Sequence, residues 1–333
     1  MKTERRCLAT ALLAFFLIGG AGTSLGAEFY GVRPLFPIWG HLYNGLFKSP
    51  SAIFVDRVSG EIYVADTGNN MVGIFDKEGR WLFSFGNNGE LTEPRSVAVD
   101  GEGQIIVSDL EGVKLFDYRG QFLGLFPFQG LDKAIRLAAL GLDKEGDIYF
   151  LDKENARVAI YSRDRQLKGQ FKLKGKEPAK VYAPSGIAVD GKGRIFVTDA
   201  QNTPVQVYDS SGKFLFGWGE RNSGPDGFSL PGGISVDEEG RVYIADTLRQ
   251  DIKVFDAKGT FLQRFGGLGR GPGDVAYPAG VVAGTNGWVY VVEKVGQRVQ
   301  VFERLTTTVQ TQRQKEQTRE EVRKTVQQMG IKR

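Results

Sequence analysis

The sequence predicts an all-β fold, a six-bladed β-propeller closed by an N-terminal strand, with a C-terminal helical tail. Three observations predict it. The 333 residues include 45 glycines, about twice the usual share of ~7%, which suits a chain with many tight turns. A strand that ends in an acidic residue recurs six times along the chain. The last of these units lacks a fourth strand, and a matching segment stands near the N-terminus.

The recurring strand reads IYVAD, IIVSD, IYFLD, IFVTD, VYIAD and VYVVE in chain order. Its acidic residues are Asp66, Asp109, Asp152, Asp199, Asp246 and Glu293. They are 43, 43, 47, 47 and 47 residues apart, and repeats of this length are typical of propeller blades. The repeat therefore predicts six similar structural units.

Each unit has the composition of four short strands, rich in β-branched and aromatic residues and bounded by Gly, Asp and Asn. In the fourth unit the strands are PSGIAVD (184–190), RIFVTD (194–199), PVQVYD (204–209) and KFLFGWG (213–219). One such sheet cannot bury both of its faces, whereas six sheets packed radially around an axis can. The pattern therefore favours one closed domain.

Closure of the ring depends on the two ends of this domain. The sixth unit stops after its third strand, RVQVFE (298–303). The segment RPLFPIWG (33–40) is similar to the outer strand KFLFGWG of the fourth unit. We expect residues 33–40 to complete the sixth blade as its outer strand, because an unpaired edge is a liability in a sheet. The propeller domain is then 28–303.

The N-terminus has the three parts of a signal peptide, which we assign to residues 1–27. Lys2, Arg5 and Arg6 precede an apolar run from Leu8 to about Ile18, and small residues follow as far as Ala27. Cleavage would leave a mature chain that is exported, either periplasmic or secreted, and that has no transmembrane span. An uncleaved N-terminal anchor is the alternative.

Charge differs along the chain. The segment 304–333 holds eight basic and three acidic residues and many helix formers, and it predicts a basic helical tail that is either solvated or a docking or coiled-coil segment. The body 28–303 has 32 basic and 35 acidic residues. No basic excess marks this body, so nucleic acid is not an expected partner.

The pattern P-x-G-I-x-V-D, then I-Y-V-A-D-T-G-N, then V-x-V-F-D, G-x-F-L and F-G resembles the NHL-repeat family of β-propellers. The resemblance covers about 33–303, and the third unit departs most from it. There Leu137 stands in place of proline, and Lys153-Glu154-Asn155 stands in place of Thr-Gly-Asn. The resemblance implies the propeller fold and leaves the function open, because propellers serve many chemistries.

Two roles are open to the six repeated acidic residues. They could form a ring of carboxylates that holds a cation near one mouth of the channel. They could instead accept backbone N–H hydrogen bonds in the loops around them, as aspartates in turns commonly do. We expect the structural role, because an active site is needed once and these residues occur in every unit.

The resemblance also implies a comparison with propeller enzymes, some of which are calcium-dependent lactonases or zinc-dependent lyases. The six segments expected to form inner strands contain no Asp, Glu, Asn or Gln. The chain has one histidine, His41, expected to be partly exposed in a loop, and one cysteine, Cys7. Multi-histidine metal centres and intramolecular disulfides are therefore excluded. We predict that the chain is not an enzyme, with no catalytic, cofactor-binding or metal-binding residues and no cofactor.

The loops after each second strand and the connectors between blades should share one face, the loop face. Loops on this face can vary without disturbing the sheets, so we expect recognition there. The candidate partner-binding residues are Arg95, Arg136, Lys153, Gln201, Asn202, Arg221, Arg249, Arg270 and Lys294. We predict a protein-binding or scaffolding propeller with a protein partner in the cell envelope; its oligomeric state stays open. The alternatives are a hydrolase or lyase with its site at the channel mouth, and a binder of small ligands or glycans.

Overall fold

The computed structural model describes residues 29–41, 45–173 and 180–306. The predicted signal segment and the tail beyond Thr306 lie outside these residues, and the described part of the chain begins at Phe29. Within them the chain forms six four-stranded antiparallel sheets and one two-stranded hairpin. The prediction of an all-β six-bladed propeller is therefore confirmed.

The strands of the closing segment are β1 (Phe29–Ile38), β2 (Gly40–His41) and β3 (Gly45–Leu46). Blade 1 contains β4 (Ala52–Val55), β5 (Ile62–Asp66), β6 (Met71–Phe75) and β7 (Trp81–Phe85), with a short 3-10 helix at Thr67–Asn69. Blade 2 contains β8 (Ser96–Val99), β9 (Ile105–Ser108), β10 (Val113–Phe116) and β11 (Phe122–Leu125). Blade 3 contains β12 (Leu137–Leu142), β13 (Ile148–Asp152), β14 (Arg157–Tyr161) and β15 (Leu167–Lys172).

Blade 4 contains β16 (Pro184–Val189), β17 (Ile195–Asp199), β18 (Val205–Tyr208) and β19 (Phe214–Trp218). Blade 5 contains β20 (Pro231–Val236), β21 (Val242–Asp246), β22 (Asp251–Phe255) and β23 (Phe261–Gly266). Blade 6 contains β24 (Pro278–Ala283), β25 (Trp288–Glu293) and β26 (Arg298–Thr306), and β1 is its fourth strand.

The N-terminal strand closes the ring as the sequence predicted. β1 pairs antiparallel with β26 from Phe29 opposite Thr306 to Ile38 opposite Val299. An ion pair between Arg33 and Glu303, 2.7 Å from Nε to Oε2, crosses the two strands. Both strands are longer than the pattern indicated, since β1 begins four residues before 33 and β26 runs three residues past 303.

The core lies between neighbouring blades. Each of six clusters of buried apolar side chains contains residues of two adjacent blades, and together the clusters cover all six interfaces of the described ring. The cluster between blades 6 and 1 includes Ile38 of the closing strand. The N-terminal segment therefore adds both backbone pairing and apolar burial to the last interface.

The hairpin turns between the first and second strands set the other face of the disc, the turn face. The turn glycines Gly60, Gly103, Gly146, Gly193, Gly240 and Gly287 all have φ between 75° and 86°. A residue with a Cβ adopts such a conformation only at a cost, so glycine is the residue that suits these turns.

Candidate functional site

A cavity of about 550 Å³ lies on the axis of the propeller, lined by the six inner strands β4, β8, β12, β16, β20 and β24. Each inner segment has an equivalent position toward the loop face, and five of the six blades have a small residue there. These residues are Ser51, Ala138, Ser185, Gly232 and Ala279. In blade 2 the position holds Arg95, whose side chain lines the cavity and is about half exposed. The cavity thus has a single cation at this position of its loop-face mouth.

A smaller recess of about 90 Å³ lies beside the mouth, between blades 2 and 3. Arg95 lines it together with Arg136 and Lys153, so three of the nine predicted rim residues converge there. Arg136 precedes β12, and Lys153 follows the buried acid at the end of β13. The recess therefore brings side chains from the loop regions of two blades to one point.

A shortened loop in blade 2 forms one wall of this recess. Lys114 lies opposite Val107 in its blade, as Lys253 lies opposite Ile244 in blade 5. The buried acid is five residues before Lys114 but seven residues before Lys253. Blade 2 therefore lacks two loop residues at the place where the recess opens.

Two carboxylates also line the recess, and one lysine pairs with both of them. Lys114 Nζ lies 2.7 Å from Oδ2 of Asp109 and 2.7 Å from Oε2 of Glu111. The hydrogen bond from Lys114 lowers the pKa of the Glu111 carboxyl, with a further contribution from Thr92. Glu111 is therefore ionised at neutral pH.

The guanidinium of Arg95 makes one ion pair, with Glu93 at 2.9 Å, between two side chains that are each about half exposed. Among the described residues, the side chains of Arg136 and Lys153 form no hydrogen bond or ion pair. Two cationic groups are thus free to meet a ligand at this recess, and a third is held by a weak, exposed pair.

The other predicted rim residues lie elsewhere on the loop face. Arg221 donates to the carbonyls of Ser229 and Ala200, and Arg249 donates to the carbonyls of Asn222, Ser223 and Gly224. Asn202 donates to the carbonyl of Lys180. Gln201, Arg270 and Lys294 are exposed. Arg221, Arg249 and Asn202 therefore hold the loops in place, and the structure does not bring these six residues to the recess.

The six repeated acids are buried and accept hydrogen bonds from nearby backbone amides. Asp246, for example, accepts from Ser229 and Leu230 of the preceding connector and from Arg249 of the following loop. In most blades a polar side chain of the third strand joins the acid. These partners include Lys114, Arg157, Lys253 and Arg298. Each acid therefore ties a connector to the end of its own blade.

Blade 1 obtains its partner from outside the blade. Gly73 holds the third-strand position that Lys114 and Lys253 hold in their blades. His41, from the closing hairpin, enters the space above Gly73, and its Nε2 donates to Oδ2 of Asp66 at 2.9 Å. The expectation that His41 is a partly exposed loop residue was wrong, because its side chain is fully buried.

The same imidazole also contacts a serine. Nδ1 of His41 lies 2.9 Å from Oγ of Ser84, which accepts a hydrogen bond from Nε1 of Trp81 at 3.0 Å. The order Ser-His-Asp is that of a hydrolase triad. The imidazole and the Asp66 carboxylate are nevertheless closed to solvent, so a substrate does not reach them. We interpret this series of hydrogen bonds as a structural contact that holds the N-terminal hairpin against blade 1.

No three His, Cys, Asp or Glu side chains of the described ranges lie close enough to hold a metal ion together. In the same part of the chain, no helix has both the length and the apolar character that a membrane span needs.

Comparison with known proteins places the fold. No family model matches the chain. Protein brain tumor of Drosophila melanogaster is 32% identical over 136 residues, which make up 38% of this chain and 13% of that protein, so the chain spans only a small part of its curated relative. With the six observed blades, these findings support an NHL-like β-propeller.

Solved structures share the fold at low identity. A gluconolactonase from Xanthomonas campestris has a TM-score of 0.60 at 14% identity and covers 86% of this chain and 99% of its own. A streptogramin B lyase has a TM-score of 0.55 at 15% identity and covers 78% and 94%. A luciferin-regenerating enzyme has a TM-score of 0.57 at 13% identity and covers 83% and 95%.

These comparisons contradict the prediction that the chain is not an enzyme. That prediction depended on the composition of the inner strands and on the single histidine, which speak only against two kinds of metal site. Propellers of this architecture include proteins named as a lactonase and as a lyase.

Proposed function

We propose that this chain is a hydrolase or lyase that acts on a small molecule at the loop-face mouth of its axial channel. One observation carries the proposal: Arg95 lines both the axial cavity and the adjoining recess, at a position where the other five blades have small residues. A cavity of this size suits a small organic molecule. A site that occurs once in the molecule requires such a departure from the repeat.

The side chains at the mouth can supply both charges that such reactions need. Hydrolysis of an ester or lactone places negative charge on a carbonyl oxygen, and elimination next to a carbonyl places it on an enolate oxygen. The guanidinium of Arg95 would stabilise either oxygen. Glu111 is ionised and lines the same recess. It would take a proton from water as the water oxygen bonds to the carbonyl carbon, or from the carbon next to the carbonyl, and would return that proton to the group whose bond to carbon breaks.

A substrate panel tests this proposal. Purified full-length chain is incubated at pH 7.5 with aliphatic lactones, carboxylate esters and β-substituted carboxylic acids, and product is followed by mass spectrometry. We expect turnover of at least one class well above the uncatalysed rate, reduced at least about a hundredfold in Glu111→Gln. The absence of turnover in all three classes, or full activity in Glu111→Gln, would overturn the proposal.

Protein recognition by the same face is the second candidate, supported by exposed apolar side chains. Leu46 of β3 and the loop residues Leu248, Leu268 and Val295 of blades 5 and 6 are each more than half exposed. In-cell crosslinking and mass spectrometry of the full chain and of Leu268→Glu tests it. Loss of one specific crosslinked partner in the variant would support recognition, and crosslinks that avoid these loops would contradict it.

Export belongs to the proposal as well, supported by the charged, apolar and small-residue order of residues 1–27. N-terminal sequencing of the protein recovered from fractionated cells tests it. A mature chain that begins near Glu28 outside the cytoplasm is expected. A cytoplasmic chain that retains Met1 would contradict export.

A further inference from the structure

We infer that the recess between blades 2 and 3 binds an oxyanion, a carboxylate or phosphate group of a small molecule, through Arg95, Arg136 and Lys153. The inference deepens the proposed function, and rests on it for the claim that this group belongs to the substrate. Binding of the anion itself is measured separately.

Charge around the recess favours an anion. Its lining includes the cations Arg95, Arg136 and Lys153 and the carboxylates Asp109 and Glu111. Lys114 pairs with both carboxylates and offsets one of their two negative charges. With Glu93 included as the partner of Arg95, four cations face three carboxylates. The net charge of these groups is therefore positive by one, and Arg136 and Lys153 are the two cations without partners among the described residues.

The geometry of the lining favours an oxyanion over a halide or a bulky polyanion. Two guanidinium groups offer planar pairs of N–H donors that match two oxygens of a carboxylate or phosphate, and the lysine adds a point charge. The recess, at about 90 Å³, admits a single such group and leaves the rest of a ligand in the axial cavity, which Arg95 also lines. An anionic group anchored there would place the remainder of the molecule on the propeller axis.

The repeat itself supports the assignment at Arg95, the one of the three cations that departs from a residue type shared by the other blades. Arg95 replaces a small residue, whereas Arg136 and Lys153 stand at positions that vary between blades. The position of Lys153 holds threonine in blade 1 and lysine in blade 6. That threonine, Thr67, donates to the carbonyl of Pro94 and so links blade 1 to blade 2. The side chain of Lys153 makes no such link among the described residues and lines the recess.

Isothermal titration with inorganic phosphate and with acetate at low ionic strength tests the inference, with matched sodium chloride as the reference. Arg136→Gln/Lys153→Gln removes the two unpaired cations, and both side chains are exposed, so we expect the variant to fold. The control is Arg270→Gln/Lys294→Gln, which removes the same charge from exposed positions on the same face outside the recess.

We expect saturable binding of at least one probe, weakened at least about tenfold in the Arg136/Lys153 variant and less than about twofold in the control. The probe that binds more tightly identifies the anion as phosphate or carboxylate. Equal weakening in both variants, or no saturable binding of either probe, would overturn the inference.

The two proposals fail in different ways. Anion binding without turnover of any panel substrate would support the anion site and contradict the proposed enzymatic activity. If neither Arg136→Gln/Lys153→Gln nor added phosphate changed the turnover, the proposed enzymatic activity would stand. The anion would then not be part of the substrate.

Discussion

The imidazole of His41 occupies the space that Gly73 leaves open on the third strand of blade 1. A Cβ at Gly73 would lie 2.3 Å from Cε1 and 2.7 Å from Nδ1 of His41. Only glycine allows the ring to reach Asp66, and only the closing segment supplies the ring. His41 and Gly73 therefore act together, and they couple the buried carboxylate of Asp66 in blade 1 to closure of the propeller.

We predict that His41→Ala and Gly73→Ala both destabilise the fold. The first leaves the buried Asp66 carboxylate without its imidazole, at a cost of about 3 kcal/mol, and the second displaces the ring, at about 1–3 kcal/mol. Urea unfolding followed by tryptophan fluorescence measures both. The control is Gly169→Ala, where an added Cβ meets nothing within 4 Å.

The double variant His41→Ala/Gly73→Lys separates this explanation from simple loss of packing. It places a lysine where blade 5 has Lys253, whose Nζ lies 3.2 Å from the equivalent acid Asp246. We expect the double variant to recover more than about half of the stability that His41→Ala loses, as coupled neighbours do. Losses that simply add would show that the two positions are independent.

Closure predicts a second effect on stability. Ile38 of β1 is buried in the cluster between blades 6 and 1, so Ile38→Ala should cost about 2–4 kcal/mol. Leu215, on the outer strand of blade 4, is about four-tenths exposed, and Leu215→Ala should change stability by less than about 1 kcal/mol. Thermal unfolding by circular dichroism compares them. Equal effects would mean that β1 is dispensable.

Alkaline pH should destabilise the propeller through its buried tyrosines. Burial, with the negative charge of Asp237, raises the pKa of Tyr243 far above its ordinary value of 10.0. The unfolded chain loses this proton above about pH 10 while the folded chain keeps it, so the free energy of unfolding falls as pH rises, by up to about 1.4 kcal/mol per pH unit for this group.

Tyr243→Phe removes this contribution. Between pH 10 and pH 11 the free energy of unfolding should therefore fall less steeply in the variant, as measured by denaturant unfolding at each pH. Tyr118→Phe is the control, because Tyr118 is well exposed and should leave the slope unchanged. Identical slopes for all three proteins would contradict the assignment.

Competition within the recess can also be tested. Glu93 holds the guanidinium of Arg95 at 2.9 Å, so an anion at the recess has to displace or share that contact. Glu93→Gln should therefore strengthen phosphate or acetate binding about two- to fivefold, in line with an exposed ion pair. Glu238→Gln, an exposed carboxylate on the turn face, is the control. Weaker binding in Glu93→Gln would mean that Glu93 orients Arg95 and does not compete with the anion.

The sequence predicted the fold in detail because each unit repeats its own pattern. RPLFPIWG could be recognised as the missing outer strand from its likeness to the outer strand of blade 4. The recess could not be predicted in the same way, since Arg95, Arg136 and Lys153 meet only through the packing of two blades. One signal was present: Gly73 stands where blades 2 and 5 have lysine, which marks a missing partner for Asp66. That signal does not say that His41 fills the gap.

The most direct test of the central claim compares the two mouths of the axial cavity. Arg95 lines it toward the loop face, and Arg57, exposed at the turn after β4, lines it toward the turn face. We measure kcat/KM of Arg95→Ala and Arg57→Ala with a substrate identified in the panel. The account predicts a loss of at least about a hundredfold in Arg95→Ala and a change of less than about twofold in Arg57→Ala. Full activity in Arg95→Ala, or the larger loss in Arg57→Ala, would contradict it.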